Sequence, residues 1–205
     1  MLTEPDPADQ VRDSPSVQLG PSPRLPQLRP DRLTPEQRAV YERVVESRGT
    51  EVLGQQGELR GPFNAMLYTP AVGAAVQQVG AAIRFSGQLP DRIRELAILE
   101  TAVRAGCSYE WHIHSSKAIQ QQLFSADEVT AISLGVEDIS TLSPPEHLAR
   151  RVAVALIEVG DLDDLLFDTA LEILGLPLIS ELVFLIGYYQ MLARSIRVWR
   201  VTRQP

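Results

Sequence analysis

The sequence predicts an all-α fold, a single-domain helical bundle of about eight helices. Apolar residues recur at three- and four-residue spacing, and capping residues precede most of these segments. No segment alternates as a strand does, and no Asn-Gly or Asp-Gly hairpin turn occurs. Hydrophobic residues make up 44% of the 205 residues, which is enough for a sizeable core.

Residues 1–32 are predicted to form a flexible, Pro-rich N-terminal arm. The first thirty residues hold seven of the fifteen prolines, and the apolar residues among them show no period. Such a segment buries too little surface to offset the entropy lost on ordering. An arm of this kind can also wrap a neighbouring subunit. The helical domain is predicted to occupy residues 33–205.

The first half of this domain carries clear helix-start signals. Thr34-Pro35-Glu36-Gln37 combines an N-cap, a proline at the first helical position and an acidic first turn. Glycines break regularity in residues 54–64, which we predict to be a loop. The predicted helices run from Pro35 to about Arg48, from Pro70 onward, from Asp91 to Gly106, and from Cys107 or Ser108 to about Leu123.

Capping boxes and apolar spacing also predict the second half. Ser125 caps a short helix over 129–134, Ser143 caps a helix through Val159, and another amphipathic helix covers 161–174. The last helix, about 179–199, is apolar on nearly every face, so we expect it in the core or in an oligomer interface. Its longest apolar stretch contains Glu181 and is shorter than the roughly 18 residues of a membrane-spanning helix.

The composition excludes several classes of protein. The net charge of −7 disfavours nucleic acid as a partner, because phosphate binding needs a basic surface. A single cysteine cannot form an intrachain disulfide and suits a reducing compartment. The first ten residues lack the basic and apolar regions of a secretory signal. We expect a soluble, cytoplasmic protein that binds neither nucleic acid nor membrane.

The reactive side chains gather in residues 107–117. This window holds the only cysteine, the only lysine, two of the three histidines and one of the two tryptophans. On a helix, Cys107, Glu110 and His114 share one face, and Glu110 and His114 lie close enough to share a proton. Cys107 falls at the helix start, where the helix dipole favours a thiolate.

Glu95 is the second candidate carboxylate. Glu95 is expected to lie roughly 17 Å from the end of its helix. If the two central helices form a hairpin, Glu95 therefore lies closer to His114 than to Cys107. We expect burial to raise the carboxyl pKa values toward neutrality. The alternative is a surface Glu110–His114 pair with Cys107 as a small buried residue. We expect no metal and no cofactor, because His112-x-His114 is a poor helical chelate and no HExxH or paired-Cys motif occurs.

The spacing of these residues resembles a known signature. Glu95, eleven residues, Cys107-Ser-Tyr-Glu110, three residues and His114 are similar to the motif of the carboxymuconolactone decarboxylase and alkyl hydroperoxidase D (AhpD) superfamily. Residues 61–70, 89–99 and the Tyr109-Glu-Trp111 triplet fit as well, and the resemblance covers roughly residues 33–200. It implies an AhpD-like all-α fold and a homo-oligomer, usually a trimer or hexamer, with sites near subunit interfaces.

One departure from the motif separates two activities. In the hydroperoxidases a C-x-x-C pair forms the redox disulfide and the second cysteine attacks peroxide, whereas the second position here is Glu110. One cysteine cannot complete an intramolecular thiol cycle. The chain therefore resembles the decarboxylase branch. The alternatives are an antioxidant peroxidase that uses Cys107 with an external thiol, and a non-catalytic helical oligomer.

The resemblance implies roles for the candidate residues in a cofactor-free acid–base lyase acting on a small unsaturated carboxylic acid or lactone. His114 is the best proton donor by its ordinary pKa. Glu110 orients it or carries the proton, Glu95 is its partner or a second acid, and the role of Cys107 stays open. Further candidates are residues that contact a small ring substrate, Asn64, Tyr68 and Trp111, and arginines for carboxylate recognition or surface ion pairs, Arg84, Arg92 and Arg94.

Overall fold

The computed structural model of the protein describes residues 22–202. Within this range the chain forms nine α-helices and no β-sheet, which confirms the predicted fold class. The helices are α1 (Pro35–Arg48), α2 (Phe63–Leu67), α3 (Pro70–Phe85), α4 (Asp91–Arg104), α5 (Ser108–Gln120), α6 (Ala126–Ser133), α7 (Pro144–Glu158), α8 (Asp164–Ile173) and α9 (Gly175–Trp199).

Local sequence signals explain where most helices begin. Capping boxes open α1 at Thr34, α6 at Ser125 and α7 at Ser143, because each side chain accepts a backbone N–H that the first turn leaves unpaired. The helix α2 begins at the end of the predicted loop 54–64. It has only five residues, which is too short for a helical period of apolar residues to be detected in the sequence. The helix α9 begins four residues before the predicted start, because Pro177 is tolerated in a first turn.

The helix α4 lies at the centre of the fold and packs against α5, α7 and α9. Two carboxylates are buried on it, Glu95 and Glu100, at 1% and 0% exposure. A buried carboxylate needs a charged partner. Glu100 pairs with Arg104 and Arg150, while Glu95 takes part in the site described below.

By length and composition, the 25-residue helix α9 is the one helix of the described range long and apolar enough to cross a membrane, and 44% of its most apolar window is buried inside the fold. Its buried residues, among them Leu182, Leu185 and Ile186, pack in the main core, as predicted for a core helix. The opposite side exposes a stripe of residues along the helix, which we call the α9 stripe: Leu176, Val183, Phe184, Gly187, Met191 and Val198.

The structure describes residues 22–32 of the predicted arm, and part of this segment contacts the helical domain. The side chain of Asn64 accepts a hydrogen bond from Leu28 N–H (3.0 Å) and donates one to the Pro26 carbonyl (2.9 Å). Arg24 N–H donates to the Trp199 carbonyl (3.0 Å). These contacts hold the proline-rich backbone against the helical domain. Residues 1–21 lie outside the described residues.

Candidate functional site

The turn between α4 and α5 brings Glu95 to His114. Gly106 adopts φ +59°, a conformation that favours glycine, and this turn reverses the chain between the two helices. As a result His114 Nδ1 lies 2.6 Å from Glu95 Oε2, and both side chains are buried. The hairpin therefore sets Glu95 against His114, the approach that the sequence spacing favours.

The same imidazole contacts a second carboxylate. His114 Nε2 lies 3.4 Å from Glu110 Oε2, one helical turn away on α5. Only 7% of each of these two side chains is exposed. The alternative of a surface pair is therefore wrong, because the imidazole lies inside the protein between two carboxylates.

Arg84 and Tyr189 contact Glu95 and His114 and each other. Arg84 donates to Glu95 Oε1 (3.2 Å) and to the Tyr189 hydroxyl (3.0 Å). The Tyr189 ring meets the His114 ring edge-on, with centroids 5.4 Å apart. Arg84 thus forms an ion pair with Glu95. This structural role replaces the predicted role of Arg84 in binding a substrate carboxylate.

The contacts of Glu95 and His114 shift the pKa values of both groups. Burial acts to raise the pKa of Glu95, but the hydrogen bond and charge of His114, together with Arg84, outweigh it and lower this pKa to about 2. Burial likewise opposes the charged form of His114, yet its hydrogen bonds to Glu110 and Glu95 raise its pKa. The expected rise in carboxyl pKa is therefore wrong for Glu95. Glu95 is an ionised partner that favours the imidazolium, so it does not act as a second acid.

His114 and Glu110 open onto a cavity of about 590 Å³. Its walls come from α1, α2, α3, α5 and α9, and from the N-terminal segment through Pro23, Leu25 and Gln27. Aromatic rings and cationic side chains dominate these walls. The rings are Phe63, Phe85, Tyr109, Tyr188, Tyr189 and Trp199, and the cations are Arg48, Arg60, Arg84 and Lys117.

The cationic side chains on the cavity wall differ in their partners: Arg84 pairs with Glu95, whereas the other three have no carboxylate partner in the described residues. The Arg48 guanidinium lies over the rings of Phe63 (4.8 Å to the centroid) and Phe85 (5.9 Å). Among residues 22–202, no carboxylate forms an ion pair with Arg48, Arg60 or Lys117. Burial lowers the pKa of Arg48 and of Lys117. The sequence reasoning missed Arg48 and Arg60, because nothing local marks an arginine on α1 or in a loop as part of a site on α5.

Two of the arginines proposed for carboxylate recognition lie elsewhere. Arg92 bridges Glu128 and Glu146 and donates to the Leu123 carbonyl. Arg94 pairs with Asp91 on its own helix. Arg92 therefore joins separate elements and Arg94 makes a local contact, and neither lines the cavity.

The three residues expected to contact a ring substrate also have other roles. Asn64 lines the cavity, but its amide is engaged by the N-terminal segment. The Tyr68 hydroxyl donates to the Pro26 carbonyl (2.7 Å), and its side chain is not part of the cavity wall. Trp111 packs against the hydrophobic cluster around Leu96 and Phe124. The structure thus assigns Asn64 and Tyr68 to fixing the segment over the cavity, and Trp111 to packing.

Cys107 lies apart from the cavity. It caps α5, is 2% exposed, and packs with Ala193 and Ile196. Burial raises the pKa of the Cys107 thiol, and the charge of Glu110 adds to this effect, against the opposing backbone N–H groups of Glu110 and Tyr109. The expectation that the helix start favours a thiolate is therefore wrong, because desolvation outweighs the helix N-terminus.

Metal-ligating residues do not cluster in the described chain. No group of three or more His, Cys, Asp or Glu side chains in residues 22–202 has an arrangement that would hold a metal ion. What the site brings together is an imidazolium between two carboxylates, facing an aromatic and cationic cavity. Such a set can donate, accept and relay protons.

Solved structures share this fold. A protein of unknown function from Agrobacterium tumefaciens, related by its description to the antioxidant defence protein AhpD, superposes with a TM-score of 0.62 at 16% identity, covering 71% of this chain and 99% of that one. The debrominase Bmp8 gives 0.65 at 17% identity, over 83% and 87% of the two chains. An uncharacterized peroxidase-related protein from Ralstonia eutropha JMP134, described as an alkylhydroperoxidase AhpD core, gives 0.65 at 14%, over 91% and 94%.

Sequence comparison adds a family match. No curated protein sequence matches the chain significantly. Residues 70–153 match the model of the carboxymuconolactone decarboxylase family, and this range includes Glu95, Cys107, Glu110 and His114. The chain therefore resembles the carboxymuconolactone decarboxylase family over residues 70–153, and its helical fold is similar to those of AhpD-like proteins.

Proposed function

We propose that the protein is a cofactor-free acid–base enzyme that decarboxylates or isomerises a small unsaturated carboxylic acid or lactone. The observation that carries this proposal is the position of His114 between Glu95 and Glu110, at the wall of the cavity. The raised pKa of His114 favours the protonated imidazole, which is the form that an acid catalyst requires. The superfamily name supports a carboxy-lyase over other acid–base reactions.

The proposed proton path uses each group differently. When the substrate loses CO₂, the electron pair of the broken C–C bond moves into the conjugated system, and a ring carbon must then take a proton. His114, with Glu110 beside it on the cavity wall, supplies that proton. Glu95 stays ionised and stabilises the imidazolium before the transfer, while Arg84 holds Glu95 in place.

Substitution of the two cavity-facing groups tests the proposal. With carboxymuconolactone as substrate, we expect His114→Gln and Glu110→Gln to lower kcat by about 10²- to 10⁴-fold, the usual contribution of a positioned acid or base. His147→Gln is the matched control, since His147 lies on α7 outside the cavity wall and should leave turnover within about twofold. Unchanged turnover in His114→Gln, or no turnover by the parent protein, would contradict the proposal.

A thiol peroxidase is the weaker candidate on the same fold. Two of the fold neighbours carry peroxidase or antioxidant descriptions. In this chain, however, Cys107 is buried away from the cavity and its pKa is raised, so the thiolate that attacks peroxide is disfavoured. Glu110 stands at the second cysteine position of the motif. A non-catalytic oligomer is also disfavoured, because Glu95, Glu110 and His114 converge next to a cavity.

We also propose that the chain assembles as a homo-oligomer, a trimer or a hexamer. The α9 stripe supports this, because it leaves large apolar side chains such as Phe184 (66% exposed) and Leu176 (59%) in solvent along one helix face. Gly187 in its centre lets a second backbone approach closely. Light scattering after size exclusion should show a smaller species for Phe184→Lys, but not for Val159→Lys, which changes an exposed apolar residue off the stripe.

The cytoplasm is the compartment we propose. The only cysteine is free and buried, so the fold does not depend on an oxidising environment. Cell fractionation should recover the protein with cytoplasmic markers, and recovery with the membrane fraction would contradict this assignment.

A further inference from the structure

Lys117 is the one lysine of the sequence, and it lines the cavity. It lies on α5 three residues after His114, on the same side of the helix, and it is half-buried. Within residues 22–202 its side chain forms no ion pair and no hydrogen bond. Because no carboxylate pairs with this half-buried amine, it is available to contact a ligand in the cavity.

The surroundings of Lys117 disfavour its charged form. Desolvation is the main cause of its lowered pKa, and the nearby guanidinium groups of Arg84 and Arg94 add to it. The carboxylates of Glu95 and Glu51 act in the opposite direction, but Glu95 already neutralises Arg84 and His114. Desolvation and neighbouring cations are the two means by which enzymes make a lysine amine nucleophilic.

The same cavity has two guanidinium groups on its wall that no carboxylate pairs with in the described residues. Arg48 is held over the rings of Phe63 and Phe85, which fixes the guanidinium without neutralising it, and Arg60 is unpaired as well. Unpaired guanidinium groups next to aromatic walls suit a small planar molecule that carries a carboxylate. A ligand with both a carboxylate and a carbonyl group would satisfy Arg48 and meet the amine of Lys117.

We propose that Lys117 is a nucleophilic amine that forms an imine with a small oxo acid bound in this cavity. The Nζ lone pair attacks the carbonyl carbon, and the carbonyl π pair moves to the oxygen, which takes up a proton. The oxygen then leaves as water with the two hydrogens that Nζ gives up, so one water is released per imine. His114, one turn before Lys117, supplies and recovers the proton. This activity goes beyond the acid–base function and does not depend on it.

Reductive trapping tests the proposal directly. The folded protein is incubated at pH 7.5 with pyruvate and sodium cyanoborohydride, and its peptides are analysed by mass spectrometry. We expect a stable adduct on Lys117 that forms faster than on an ordinary exposed lysine, because a lowered pKa leaves more of the amine neutral at this pH. Acetone, which lacks the carboxylate, should label Lys117 more slowly than pyruvate.

The composition offers a clean control. The double variant Lys117→Met/Arg151→Lys has a single lysine at an exposed position on α7, so its labelling rate is that of an ordinary amine. Arg48→Met should slow pyruvate labelling of Lys117 and leave acetone labelling unchanged. A Lys117 that stays unlabelled, that reacts no faster than the exposed lysine, or that shows no preference for pyruvate over acetone overturns the proposal.

Discussion

Replacement of Glu95 by Gln measures how strongly the fold depends on the buried charges. The variant keeps the shape of the side chain but removes the negative charge that faces His114 and Arg84. In the folded protein the Glu95 pKa falls from its ordinary value of 4.5 to about 2. At about 1.4 kcal/mol per pH unit, this fall corresponds to about 3 kcal/mol of stability at neutral pH. Because only 1% of the side chain is exposed, solvent screens little of it.

Urea unfolding of the parent and of Glu95→Gln, at one protein concentration, gives the free-energy difference. The folded pKa lies below the unfolded one, so the carboxylate contributes fully above pH 4.5, and its contribution is lost as the pH falls toward 2. We therefore expect a difference of about 3 kcal/mol at pH 7 that shrinks between pH 4.5 and pH 3.

The control is Glu42→Gln, which removes an exposed carboxylate on α1 and should change the stability by less than about 0.5 kcal/mol. If Glu95→Gln behaves like this control at pH 7, or if its effect is the same at pH 3 and pH 7, the charge assignment for Glu95 and His114 is wrong.

Three further outcomes follow from the described contacts. The Cys107 thiol should react with iodoacetamide at least about tenfold more slowly in the folded protein than in urea, because it is buried with a raised pKa; equal rates would refute this. NMR titration should place the His114 midpoint above 6.5, and a midpoint below it would contradict the two carboxylate contacts. In a Trp111→Phe background, Asn64→Leu should increase acrylamide quenching of Trp199, because it releases the segment that packs there; unchanged quenching would show that the other contacts suffice.

Local signals in the sequence were sufficient for every helix of the described range except α2, and for the centre of the site. Capping residues such as Ser125 depend only on the next three positions, so they mark helix starts reliably. The pairing of Glu110 with His114 follows from the helical repeat alone, and the short turn at Gly106 brings Glu95 into range.

The rest of the site depends on contacts between residues far apart in sequence. Arg48 reaches the cavity only because α1 packs against α3, and the roles of Asn64 and Tyr68 depend on a segment almost forty residues earlier. The pKa of the Cys107 thiol depends on whether burial or the helix N-terminus has the larger effect, and the burial comes from packing against α9. Sequence spacing carries no information about any of these contacts.

The hydrogen bond between Arg24 and Trp199 has a consequence for the order in which the cavity is completed. Residues on the cavity wall are encoded from Pro23 to Thr202, so the ribosome completes Glu95, Glu110 and His114 long before the last wall residues. A nascent chain that has folded α1 to α7 has the proton-relay groups but lacks the Tyr189 and Trp199 side of the cavity. The cavity is therefore complete only after α9 has been synthesised and has docked, and after the segment around Arg24 has paired with the end of α9.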